Sequence, residues 1–180
     1  MGALLYASYM ANKRISVDPV AYKPLLSLIA QAESNDNYNA YFGNGGNTTI
    51  DFTAMSVADV LAWQAEFVHQ GSPSSAVGRY QIINTTLLGL VRQLDIDTMQ
   101  KFDKSMQDKL AIALLERRGA NAYVNKKITK EVFASNLAKE WAALPKVIGA
   151  NPSESHYASD GLNKSRVSVN VILDVIERII

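Results

Sequence analysis

The stretch PLLSLIAQAESNDNYNAYFGNGGNTTIDF, residues 24–52, changes its periodicity halfway, and that change decides the fold class. Up to the change Leu25, Leu28, Ile29 and Ala32 fall at i, i+3, i+4 and i+7, the apolar face of an amphipathic helix. Pro24 stands in the first turn, where its missing N–H costs nothing. SNDNY (34–38) then ends the helix with residues that favour turns. Beyond the change, short runs rich in aromatic and β-branched residues flank Gly43-Asn44-Gly45-Gly46-Asn47 on both sides, which predicts a small β-hairpin over 39–52. No Gly-Lys-Ser/Thr follows these glycines and no apolar strand precedes them, so they do not read as a phosphate loop.

Outward from this stretch the pattern is helical. Ser56-Val-Ala-Asp59 reads as a capping box opening a helix that carries Val60, Trp63 and Phe67 and stops at Gly71. A further helix carries Leu87, Leu90, Val91 and Leu94; another runs from about Ser105 to Arg118, with Met106, Leu110 and Leu114 at four-residue intervals and Gly119 as its stop. Thr129 caps a helix bearing Phe133, Leu137 and Trp141, ended by Pro145, and the last helix buries Ile172, Val175, Ile176 and Ile179. Five to seven helices around one core, with one small hairpin, make an α+β domain that is mostly α.

The chain has 180 residues, 48% of them hydrophobic, enough for one substantial core over residues 22–180. Residues 1–21 read as a leader. MGALLYASYMA before Lys13-Arg14 has no positive start and is too short to span a membrane, so it is an ordinary N-terminal helix or the end of a longer signal or anchor. Membrane contact is expected only there. A net charge of +1 argues against a dedicated nucleic-acid binder, and a monomer is expected.

With no cysteine, disulfides, thiolate metal sites and a thiol nucleophile are excluded. His69 and His156 are the two histidines, so no multi-histidine metal centre is available and no cofactor is expected. Carboxylates remain as the tools. Glu33 stands one turn beyond Ile29, at the edge of the apolar face and near the negative end of the helix dipole. Both surroundings favour its protonated form, as a glutamate needs if it is to protonate a leaving oxygen near neutral pH. The plainer reading is a solvated glutamate at a helix end. Asp51, on the expected second strand, is the candidate second carboxylate, against a hairpin residue that bonds its own turn. Asp36 is expected to cap the helix. Gly78-Arg79-Tyr80-Gln81 combines a close backbone approach, a ring face for a sugar and an amide for a hydroxyl; taken alone it is a weak motif, and a tight turn leading into a core helix accounts for it better.

Three segments in order, LLSLIAQAES (25–34), AVGRYQII (76–83) and AKEWAALP (138–145), resemble the phage lambda endolysin family of lysozyme-like muramidases. More distantly they resemble goose-type lysozymes and soluble lytic transglycosylases. SVADVLAWQ (56–64) looks like the helix before the GRYQ segment, and the resemblance covers about residues 22–178. It implies a lysozyme-like fold, with the hairpin beside an active-site cleft that takes the glycan strands of bacterial peptidoglycan. It implies cleavage of the β-1,4 bond between N-acetylmuramic acid and N-acetylglucosamine, with action in the bacterial cell wall or periplasm. Glu33 matches the family's single catalytic acid, and the outcome implied is a lytic transglycosylase forming 1,6-anhydromuramic acid. Ser34, Tyr41, Gly78, Arg79, Tyr80, Gln81 and Tyr157 are the substrate-binding residues that follow from it. Asp51 does not transfer from the lambda endolysin, but its 18-residue offset from Glu33 is similar to the acid pair of animal lysozymes, which leaves hydrolysis as the alternative outcome. A catalytically inactive wall-binding module is the third reading.

Overall fold

A computed structural model describes residues 18–180. The leader reading over Met1 to Lys13-Arg14 lies outside them. Among the described residues seven α-helices follow in order: α1 (Lys23–Ser34), α2 (Val57–His69), α3 (Asn84–Gln93), α4 (Lys104–Arg117), α5 (Ala120–Val124), α6 (Lys130–Leu137) and α7 (Val169–Glu177). Short 3-10 turns stand at Pro19–Tyr22, Phe52–Ala54 and Ala158–Asp160.

Local chemistry sets the ends. The Ser56 hydroxyl accepts from Asp59 N while the Asp59 carboxylate accepts from Ser56 N, the capping box read from the sequence. Asp103, Thr129 and Ser168 cap α4, α6 and α7 with a single bond each, the side-chain oxygen accepting from Met106 N, Val132 N and Val171 N. At the C-terminus of α1, Asn35 and Asp36 both turn left-handed, with φ of 53° and 66°. Asp36 N then bonds Ala30 O and Asn35 N bonds Gln31 O, closing the carbonyls that the helix end leaves open.

α4 organises the core. Seven of its residues, including Leu110, Ala111, Leu114 and Leu115, are buried, more than one stripe can hold, so it runs through the interior rather than along the surface. α1 and α6 both pack on α7, α3 packs on α2 and α4, and α5 joins α4 to α6. Fully burying an Ile or Leu contributes about 1.5–3 kcal/mol, and Ile29, Leu87, Leu110, Phe133 and Ile172 are all fully enclosed.

Two expectations are corrected. The hairpin over 39–52 does not form: the described residues contain only isolated bridges, such as Tyr41 with Asn44 and with Val77. Side-chain amides occupy the backbone groups that a strand pair would use. The Asn37 amide donates to Gly45 O and Asn47 O, and buried Asn47 donates to Asn39 O and Ile50 O while accepting from Thr49 N and Ile50 N. Trp141 is not on a helix either, because α6 stops at Leu137 and the chain tightens into turns through Leu144. In a continued helix Ala143 N would donate to Lys139 O. That carbonyl instead accepts from the Tyr157 hydroxyl at 2.7 Å and from Arg118 at 3.2 Å, leaving Ala143 N available elsewhere.

Candidate active site

The helix end, the Asn-rich loop and the turns after α6 enclose a cleft of about 790 Å³. Glu33 lines it from the last turn of α1 and is partly buried. Its Oε1 accepts from Ala143 N at 2.9 Å, the amide released by the break after α6. Burial pushes the Glu33 carboxyl above its ordinary 4.5; the Ala143 amide and the Arg166 guanidinium pull the other way. Arg166 is fastened beside it, its side chain donating to Ala32 O at 3.1 Å and its backbone N to Ala143 O at 2.8 Å. The result is a carboxyl that keeps its proton above the usual carboxylate range while facing an open cleft.

Ser34, Tyr41, Tyr80, Gln81 and Tyr157 line the same cleft. The Ser34 hydroxyl donates to Arg79 O at 2.7 Å, with Ala30 O also in reach at 3.1 Å, so it ties the helix end to the 78–81 turn. Tyr41 stands edge-on to Trp63 and Phe67, with ring centroids 5.4 and 5.5 Å away. Gln81 adopts a φ of 48° and its amide donates to Gly78 O at 2.9 Å, which leaves its carbonyl end for a ligand. Trp141 is buried against the cleft and donates from Nε1 to Tyr80 O at 3.2 Å.

Gly78 and Arg79 are not among the cleft-lining residues. Gly78 has a φ of 80°, and a Cβ there would meet Gln107 Oε1 at 2.4 Å, so the glycine serves a close packing of chain on chain. Arg79 turns away to pair with Asp36 at 2.6 Å and Asp108 at 3.2 Å, its guanidinium 5.0 Å from the Tyr38 ring centre. Asp36 caps α1 as expected, through its backbone N–H on Ala30 O, while its side chain holds Arg79.

Asp51 does not stand on a strand and does not line the cleft. It caps the Phe52–Ala54 turn, accepting from Thr53 N at 3.1 Å and from the Thr53 hydroxyl at 2.5 Å. That hydroxyl bond holds the exposed carboxylate below the usual range, the environment of a turn cap rather than of a proton donor.

Three contributors escaped the sequence reading. Ala143 and Arg166 act through backbone geometry and a contact across 134 positions, which no local pattern carries. Gln107 left a trace: on α4 it shares a face with Leu110, Ala111 and Leu114, a polar residue at a core position. Its amide accepts from Arg79 N and donates to Tyr38 O and Phe102 O.

Among the described residues seven helices, with α4 largely buried, and a partly buried glutamate on a polar cleft make up the fold and its site. Bacteriophage lambda lysozyme, solved in complex with a chitohexasaccharide, has this fold: it matches with a TM-score of 0.53 at 16% identity, over 92% of this chain and 96% of that one. A family model described as Endolysin matches residues 23–164, and the chain belongs to that family. No curated protein matches it in sequence.

Proposed function

We propose that the protein cleaves the β-1,4 bond between N-acetylmuramic acid and N-acetylglucosamine in bacterial peptidoglycan, as a lytic transglycosylase. The observation that carries this is Glu33, the carboxyl in the cleft whose pKa is raised. In the first step Glu33 gives its proton to the glycosidic oxygen as that oxygen's bond to C1 breaks. The carboxylate so formed removes the proton from the muramyl C6 hydroxyl, whose oxygen bonds to C1. The product is a 1,6-anhydro sugar, and no water is consumed. The Ala143 amide on Oε1 fixes the carboxyl and stabilises it when charged, so both protonation states are accommodated in one place. This reaction needs one glycan strand, a single copy of the chain and no cofactor.

Membership of the endolysin family supports wall degradation, and the chitohexasaccharide bound by the lambda lysozyme supports a glycan in the cleft. Hydrolysis requires a second carboxylate about 5–5.5 Å or about 6.5–9.5 Å from the first. Asp51 is committed to Thr53, which favours the route that uses Glu33 alone. Asp51→Asn is therefore expected to keep clearing suspensions of purified walls. A drop of about 10²-fold, the size lost with a catalytic carboxylate, assigns it to the chemistry instead. Wall clearing by the unmodified protein also separates this reading from an inactive wall-binding module, which would sediment with walls and release no soluble fragments.

A further inference from the structure

The net charge of +1 conceals an uneven cleft. The lining residues from segments 41–45 and 73–86 carry no charge, whereas Arg118, Lys139, Lys164 and Arg166 line it from the segments that follow α4. Those segments form one connected wall, since Arg118 and Tyr157 bond Lys139 O and Arg166 N bonds Ala143 O. The cations differ in what they already hold. Arg118 is matched by Glu140 at 2.7 Å. Arg166 donates to the neutral Ala32 O, Lys139 to the neutral Asn136 side chain at 3.2 Å, and Lys164 has no partner among the described residues. The remaining carboxylate on the wall, Asp160, is taken up by Leu162 N, Asn163 N and the Asn163 amide. Lys139 and Lys164 therefore face the cleft without an acid of their own, while Arg166 stands beside the Glu33 carboxyl.

A plain N-acetylated glycan is neutral and gives such a wall nothing to bind. A muramyl residue differs from it by an acidic substituent, a lactyl group that ends in a carboxylate or continues into a carboxylate-bearing peptide. We propose that Lys139 and Lys164 form a subsite that takes the carboxylates of this substituent. The cleft then distinguishes peptidoglycan from neutral glycans before any bond is broken. The proposal rests on the muramidase reading and supplies its selectivity. Exposed pairs of this kind each change affinity by about two- to fivefold and weaken with salt.

The test uses Glu33→Gln protein, which binds without turning over, and the same protein carrying Lys139→Gln and Lys164→Gln. Affinity is measured for three probes: a chitohexasaccharide, glycan strands stripped of peptide by an amidase, and peptide-bearing strands. Circular dichroism of both proteins confirms an unchanged fold. The ratio of strand affinity to chitohexasaccharide affinity is expected to fall about tenfold in the lysine variant, and to fall in the parent as salt rises. A fall with stripped strands assigns the lactyl carboxylate; a fall confined to peptide-bearing strands assigns the peptide carboxylates. An unchanged ratio, or equal losses on all three probes, overturns the subsite. Cleavage of intact walls by the unmodified protein is run alongside. If cleavage fails while the ratio still shifts, the muramidase reading falls and the carboxylate subsite stands.

Discussion

Glu33→Gln is expected to lower wall clearing by about 10²–10⁴-fold, the contribution of a general acid–base group, while the protein stays folded. Glutamine keeps an oxygen for the Ala143 amide but has no proton to give at neutral pH. The same variant has a signature in stability. Between the ordinary 4.5 and the raised native value, the folded chain holds a proton on Glu33 that the unfolded chain has lost. Stability linked to this group is thus present at low pH and lost as pH rises through the raised value. Glu33→Gln cannot ionise, so its chemical-denaturation midpoint should lack that decline and equal or exceed the parent's at neutral pH. A variant that clears walls at the parent's rate contradicts the assignment of Glu33.

The largest expected effect on stability is at Gln107. Replacement by alanine leaves Arg79 N, Tyr38 O and Phe102 O without their partner, in a position that is 1% exposed. Stranding buried backbone groups costs about 1–3 kcal/mol each where water cannot reach them, and about 3 kcal/mol in total is expected. For a chain of this size that lowers the thermal midpoint by about 6–12 °C. The consequence reaches the cleft, because Arg79 O receives the Ser34 hydroxyl beside Glu33. Gln107→Ala should therefore also lose activity below its melting range, whereas a midpoint within 2 °C of the parent, about the shift from 1 kcal/mol or less, contradicts the role given to this amide.

The legible features of the fold were those carried by short-range chemistry. Apolar spacing over Leu25 to Ala32 marked α1, Ser56 with Asp59 marked the start of α2, and Thr129 marked α6. The place of Glu33 at the edge of the apolar face was legible for the same reason, since it is local to Ile29. The failures share a cause. Asn37 and Asn47 pair with backbone that no periodicity describes, so the spacing over 39–52 reads as a hairpin that does not form, whereas the plainer reading of Asp51, a residue that bonds its own turn, is the one the structure has. Trp141 kept helical spacing with Leu137 although Tyr157 and Arg118 had taken the carbonyl that the next turn needed. Gly78 and Arg79 enter the substrate-binding set through the family resemblance alone; the tight turn into a core helix that these residues suggest by themselves is what forms, with Gly78 packed against Gln107.

Cleavage by one carboxyl with no water leaves a mark in the mass of the products. Purified peptidoglycan is digested in heavy-oxygen water and the released muropeptides are weighed. Fragments one water lighter than reducing muropeptides, with no heavy oxygen in the sugar, are expected. Reducing ends that carry heavy oxygen at C1 would contradict it and would assign hydrolysis.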